Sequence, residues 1–201
     1  MVSASAVSPL IEVSGLSITR GIRPLFEDLD LQLHAGEIVQ VCGPNGCGKT
    51  SLLEVLAGLR PPDSGALRLP PLTASIWVGH RHGFAPELPA ADNLALWCAL
   101  HAVPQPDIEG ALRFWQVPRA RRRALGALSA GQQQRTALAT TELKKDARLW
   151  LLDEPIAALD TEAVQRLSGR IQAFCARGGA VLLTTHQPIQ GLTPRRVELR
   201  P

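Results

Sequence analysis

The stretch Gly43-Pro44-Asn45-Gly46-Cys47-Gly48-Lys49-Thr50 satisfies every fixed position of G-x-x-x-x-G-K-[ST]. That pattern leaves a chain few folds, because it needs a buried strand before it and a helix start after it. Residues 37–42, EIVQVC, read as the strand, and residues 50–59 carry helical apolar spacing with no internal breaker. The glycines let backbone N–H groups curl around an anion, and the helix directs its positive dipole end at the same charge. The pattern assigns Lys49 to the β and γ phosphates of a nucleoside triphosphate and the Thr50 hydroxyl to Mg²⁺, with Ser51 completing the nucleotide-binding run.

With 201 residues and 45% hydrophobic content, the chain suits one α/β domain with a sizeable core. No apolar run approaches the roughly 18 residues of a membrane span. Residues 1–10 lack the basic start and apolar centre of a signal peptide, so the expected location is the cytoplasm. The four cysteines, Cys42, Cys47, Cys98 and Cys175, show neither C-x-x-C spacing nor the density of a disulfide framework, and read as reduced thiols. Cys42 and Cys47 flank the phosphate loop, where small-residue packing is their simplest role. A net charge of +3 is too small to argue for nucleic acid, and none is expected as a partner. The one basic cluster, Arg119, Arg121, Arg122 and Arg123, has no interleaved aromatics for stacking bases.

In chain order, residues 1–9 read as a loose tail and residues 11–20 (IEVSGLSITR) as a half-exposed alternating strand. Residues 29–33 give a second strand, and the two make an antiparallel flap ahead of the phosphate-loop strand. A turn at 60–65 leads to a strand at 66–69, and residues 75–79 (SIWVG) form a core strand. Residues 83–128 read as an inserted helical lobe, broken at Pro104, Pro106 and Pro118. The whole chain, 1–201, is then a single domain with a mostly parallel core sheet.

The second half carries a denser pattern. Leu128-Ser129-Ala130-Gly131-Gln132-Gln133-Gln134-Arg135 heads a helix expected to run to about residue 145. Residues 148–152 (RLWLL) form an apolar strand ending in Asp153-Glu154-Pro155. A carboxylate at a strand end can serve a Mg²⁺ shell while its neighbour polarises a water. Ala158-Leu159-Asp160 opens a further helix, and a strand at 180–183 reaches Thr184-Thr185-His186, whose imidazole can contact a γ-phosphate. Singly these have plainer readings, Asp153-Glu154 as an N-cap pair and His186 as a loop histidine.

Phosphate loop, LSAGQ, a hydrophobic strand into DEP, ALD and a strand-end His, in that order, resemble the ATP-binding-cassette ATPases over nearly the whole chain. The resemblance implies an α/β phosphate-loop NTPase that works as a homodimer. Lys49 of one subunit and Ser129, Ala130, Gly131 and Gln132 of the other enclose one ATP. It further implies Thr50 and Asp153 on Mg²⁺, Glu154 activating the attacking water, His186 on the γ-phosphate, and Asp160 at the dimer interface. Three positions depart from the family pattern. Ala130 replaces a glycine, which adds one methyl group. The adenine-stacking aromatic of the first strand is missing, and Arg20, whose guanidinium can stack on a base, falls near its place. The lobe-junction glutamine is missing too, with Arg81 of His80-Arg81-His82 there instead. Arginine cannot ligate a cation, so Arg81 is expected to point either to a γ-phosphate oxygen or to an acidic group of the membrane partner, and the coupling contact to the partner is the preferred reading.

The short length, GH-x-x-G before the lobe, LSAGQ-x-x-R and TTHQP near the end resemble the haem-exporter ATP-binding subunit of cytochrome c maturation. Such a subunit sits peripherally on the inner face of the bacterial plasma membrane, against integral membrane exporter subunits. The residues themselves offer no haem site, having no C-x-x-C-H and no Cys-Pro pair. A soluble cassette ATPase serving an assembly process is the alternative, although such proteins usually carry a second cassette, a long insertion or a basic groove. A small phosphate-loop kinase leaves LSAGQ and His186 without a role.

Overall fold

The computed structural model describes residues 8–79, 82–117 and 122–199. Ten-residue β1 (Ile11–Arg20) pairs antiparallel with β2 (Arg23–Leu33) on one side and β4 (Ser64–Arg68) on the other, giving a three-stranded sheet in the order β2-β1-β4. β1 has the expected bounds, whereas β2 begins at Arg23 rather than at residue 29. Register shifts between Leu16 and Thr19, with Asp28 at φ 53°, break the alternation of residues 23–28, so that stretch does not read as strand.

The second sheet is wholly parallel, in the order β5-β6-β7-β3-β8: β3 is Ile38–Cys42, β5 Ser75–Val78, β6 Leu149–Asp153, β7 Ala180–Thr184 and β8 Arg195–Glu198. Every residue of β6 and β7 is buried, which is why they read as unbroken apolar runs rather than alternating ones. β8 escaped the sequence reading because RRVE, at the sheet edge, carries neither an apolar run nor clean alternation.

Helix α1 (Lys49–Leu56) packs the flap side of the parallel sheet through Leu52, Leu53, Val55 and Leu56. It ends three residues earlier than its spacing suggests, because Gly58 at φ 71° turns the chain and Leu59 N–H bonds back to the Glu54 carbonyl. On the opposite face, α6 (Thr161–Ala176) lays Leu167, Ile171 and Phe174 against the sheet, with Phe174 stacked on Trp150 at 4.0 Å. The helical lobe, α2 (Ala90–Leu100), α3 (Ile108–Phe114) and a 3₁₀ turn at Leu125–Ala127, joins the same apolar cluster. The helix expected to reach residue 145 is instead two pieces, α4 (Ala130–Leu138) and α5 (Thr140–Leu143). The hydroxyls of Thr140 and Thr141 bond the carbonyls of Ala137 and Leu138, competing with the helical ladder at that joint.

This topology fixes where a site can lie. Thr184 of β7 is in register with Val41 of β3 and with Asp153 of β6, so three strand ends reach one level. In open parallel sheets, ligands bind at the carboxyl ends of the strands.

Candidate active site

At that edge a cavity of about 320 Å³ opens between the phosphate loop and the ends of β6 and β7. It gathers Asn45, Gly46, Gly48, Lys49, Thr50 and Ser51 from the loop and α1, Asp153 and Glu154 from β6, His186 from beyond β7, and Arg20 from the flap. The remaining loop residues shape it from outside. Gly43 and Pro44 offer their carbonyls to the Lys49 ammonium at 2.8 and 3.1 Å, and Cys47, 3% exposed, packs beneath. Gly48 sits at φ 103°, and a β-carbon there would lie 3.0 Å from both Leu25 and the Phe26 ring, so both the turn and its seat on β2 exclude a side chain.

The strand-end oxygens form a chain of hydrogen bonds. Thr50 Oγ1 donates to Asp153 Oδ2 at 2.8 Å, and Thr184 Oγ1 donates to Asp153 Oδ1 at 2.6 Å while accepting from the Glu154 backbone N–H at 2.9 Å. Asp153 is 3% exposed and has one partner on each carboxylate oxygen. Glu154 differs in kind. Its backbone sits at φ 48°, a left-handed conformation uncommon for a non-glycine residue. Its Oε1 is buried, receives no hydrogen bond, and lies 3.4 Å from His186 Nε2. A carboxylate oxygen held beside an imidazole but left without a donor can accept a proton from a third group.

Ser129, Ala130, Gly131 and Gln132 do not line this cavity. They start α4 with a capping box, in which Ser129 Oγ accepts from Gln132 N–H at 3.3 Å and Gln132 Oε1 accepts from Ser129 N–H at 3.1 Å. A β-carbon on Gly131 would meet the Ala158 carbonyl at 2.6 Å. The same helix is tied to the loop after Glu154 by Gln134 Nε2 donating to the Pro155 carbonyl at 2.9 Å and by an Arg135 to Asp160 ion pair. Asp160 also caps α6, accepting from Ala163 N–H at 2.9 Å. That backbone hydrogen bond first, and the Arg135 charge after it, hold its carboxyl below the ordinary range despite some desolvation. Arg81 and its neighbour His80 lie outside the described residues.

Thr184, Gln134 and Arg135 received no role from the sequence. TTHQP marks Thr184 only by adjacency to His186, and a threonine at the end of an apolar strand reads as one more β-branched core residue.

A protein-family model described as ABC transporter matches residues 26–157. The chain belongs to the ABC transporter family. As an ABC ATPase domain it binds nucleotide. It is similar to "Cytochrome c biogenesis ATP-binding export protein CcmA" of Pseudomonas putida, 42% identical over 90% of this chain and 90% of that protein. "Cytochrome c biogenesis ATP-binding export protein CcmA 2" of Salmonella paratyphi A is 41% identical over 94% of this chain and 97% of its own length. Among solved structures, an ATP binding subunit of an ABC transporter superposes with a TM-score of 0.77 at 25% identity, covering 88% of this chain and 79% of the other. An ABC transporter ATP-binding protein from Pyrococcus furiosus shares the fold with a TM-score of 0.78 at 24% identity, over 94% of this chain and 96% of that one. Among the described residues of this ABC protein, no helix is long and apolar enough to cross a membrane.

Proposed function

We propose that this chain is the ATP-hydrolysing subunit of a membrane exporter, the haem exporter of cytochrome c biogenesis. It works as a homodimer held against integral subunits on the cytoplasmic face of the bacterial inner membrane. The observation that carries the catalytic part is the Thr50, Asp153 and Thr184 hydrogen-bonded set placed between the phosphate loop and Glu154. The export part is supported by the likeness to proteins bearing the cytochrome c biogenesis name.

In this reading the loop amides and Lys49 hold the β and γ phosphates, the ammonium turning from the Gly43 and Pro44 carbonyls toward the more strongly charged oxygens. Thr50 Oγ1 and Asp153 Oδ2 fit Mg²⁺, being hard oxygen donors 2.8 Å apart. No three His, Cys, Asp or Glu cluster among the described residues, and Mg²⁺ bound by one or two protein oxygens, waters and phosphates needs no such cluster. When bound, Mg²⁺ neutralises charge on the transferring phosphoryl group. Thr184 locks the Asp153 rotamer and, through the Glu154 amide, sets the direction of the next carboxylate. Glu154 orients a water and takes its proton as the water oxygen attacks the γ-phosphorus and the bond to the leaving ADP oxygen breaks. His186 steadies both Glu154 and the γ-phosphate. Ser129, Ala130, Gly131 and Gln132 present the α4 start to the partner's triphosphate, with Asp160 beside them at the interface.

The test is purification of the chain from membranes together with integral partners, paired with the haem-attached cytochrome c content of cells carrying only Lys49→Ala. Stable co-purification and loss of c-type cytochromes are the expected results. A chain that fractionates without membrane subunits, in cells whose cytochromes c remain normal in the variant, overturns the exporter assignment.

A further inference from the structure

β3 lies inside the parallel sheet, between β7 and β8, and its Val39 and Val41 are fully buried. Gln40 stands between them, 6% exposed, as a primary amide in an otherwise apolar strand. Burying an amide is unfavourable unless it is hydrogen-bonded, so the strand alone gives no reason for a glutamine here. The reason lies 145 residues away, where Gln40 Nε2 donates to the Thr185 carbonyl at 3.1 Å. Gln40 is in register with Leu183 of β7, two residues short of Thr185, so its side chain reaches along the strands toward the end that carries the cavity.

The bond meets the residue before His186. The turn that carries the histidine is closed on itself, because the Thr185 hydroxyl donates to the Gln187 carbonyl at 2.9 Å and accepts from the Gln187 N–H at 3.2 Å. Residues 185–187 therefore move as one unit. Beside this unit the packing is incomplete, with a cavity of about 50 Å³ among Gln40, Thr185, Pro188, Ile189 and Leu192, so apolar contact alone does not fix its height. The imidazole adds little hold of its own, being 57% exposed with Nε2 at 3.4 Å from Glu154 Oε1. Its place follows from the backbone that Gln40 holds. Since β3 ends at Cys42 and runs straight into Gly43 of the phosphate loop, the bond also references the histidine to that loop. We propose that Gln40 is a positioning residue for His186, keeping the imidazole at the level of the γ-phosphate through the Thr185 carbonyl. This rests on the reading of His186 as a γ-phosphate contact.

The test is a double-mutant cycle in the full-length chain, with single-turnover hydrolysis and equilibrium ATP binding measured side by side. Gln40→Met keeps the length of the side chain but removes the donor, and should lower kcat by about tenfold while ATP affinity stays within about twofold of wild type. Gln40→Leu should give the same pattern, and denaturant midpoints show that both variants are folded under the assay conditions. In a His186→Ala background, adding Gln40→Met should change kcat by less than about twofold, because the two residues act along one route. The His186 ring resonances, identified by their loss in His186→Ala, should shift in Gln40→Met, while those of His101 in the helical lobe stay in place. A wild-type kcat in both Gln40 variants overturns the positioning role. So does a tenfold fall that persists in the His186→Ala background, since Gln40 would then act on the fold or on another group. Undiminished kcat in His186→Ala alone is a different result: it brings down the γ-phosphate reading of His186, and this inference with it.

Discussion

Thr184 Oγ1 stands between the two acidic residues at the end of β6, donating to Asp153 Oδ1 at 2.6 Å and accepting from the Glu154 N–H at 2.9 Å. One hydroxyl thereby fixes a side chain and, on the next residue, a backbone held at φ 48°. Thr184→Val keeps the shape of the site but removes both bonds. Leaving a buried amide and a carboxylate oxygen short of a partner costs about 1–3 kcal/mol of stability. The expected outcome is a fall in kcat of about 10- to 100-fold with metal-free ATP affinity unchanged, since the phosphate loop is untouched. Single-turnover kinetics alongside equilibrium binding measure the two separately, and a variant with normal kcat would show that Thr184 serves only packing.

Glu154→Gln should retain ATP binding and slow hydrolysis by about 10²- to 10⁴-fold, the usual contribution of a positioned proton acceptor. The amide keeps the size of the side chain and its place beside His186 but cannot take the proton. ATP should then accumulate in a stable dimer, visible as a concentration-dependent mass in light scattering. Near-normal turnover of the variant in the assembled complex would remove Glu154 from this role.

Legibility in the sequence followed how local each signal is. The phosphate loop, β1 and the parallel strands other than β8 were readable because their patterns lie within a few consecutive residues and agree with one another. The start of β2 was hidden by a register shift, which depends on how β1 lies against it. The break at Ala139 was hidden because threonine hydroxyls bonding back to Ala137 and Leu138 act only once the helix exists. Asp153, Glu154 and His186 were legible as strand-end residues. Thr184, Gln134 and Arg135 were not, because each matters through hydrogen bonds to a distant segment, Asp153-Glu154, Pro155 and Asp160 respectively. Leu25 likewise enters the cavity only through the folding of the hairpin over Gly48.

The thiols should rank by burial. Desolvation pushes Cys175 up to about 11 and also raises Cys98, so at pH 8 about one Cys175 in a thousand is the reactive thiolate. Cys47 is buried as well, leaving Cys42 the most accessible of the four. In the native protein a chromogenic disulfide reagent should react first at Cys42, with Cys98 and Cys175 following only as the chain opens; in denaturant all four should react together. Fast native labelling of Cys175, located by peptide mass mapping, would contradict its burial in the last turn of α6.

Asp160→Ala removes the α6 cap and should cost about 1 kcal/mol at pH 7, the exposed pair with Arg135 adding little. The sign with pH follows from the depressed carboxyl. A folded-state value below the unfolded one stabilises the fold fully above the ordinary carboxylate range, and that contribution is lost as pH falls through the folded value. Denaturant midpoints of wild type and variant should therefore differ at pH 7 and converge in acid. A gap that stays constant down the acid limb would show that the carboxylate charge is not what caps the helix.

Lys49→Ala and Ser129→Arg should fail in different ways. Lys49 lines the cavity of its own chain, so its loss weakens ATP binding even in dilute monomer. Ser129 lies at the start of α4, outside that cavity, and its side chain serves the capping box. Arginine there loses the cap, costing about 1 kcal/mol, and places bulk and positive charge on the face proposed to meet the partner's nucleotide. Monomer binding should stay within about twofold of wild type, because Ser129 does not line the cavity and an exposed charge is screened by salt. The ATP-trapped dimer should not form, even when Glu154→Gln is added to block hydrolysis. Isothermal titration in dilute solution and scattering at high concentration resolve the two defects. If Ser129→Arg abolished monomer binding as Lys49→Ala does, the start of α4 would act on its own chain's site, and the assignment across the dimer would fail.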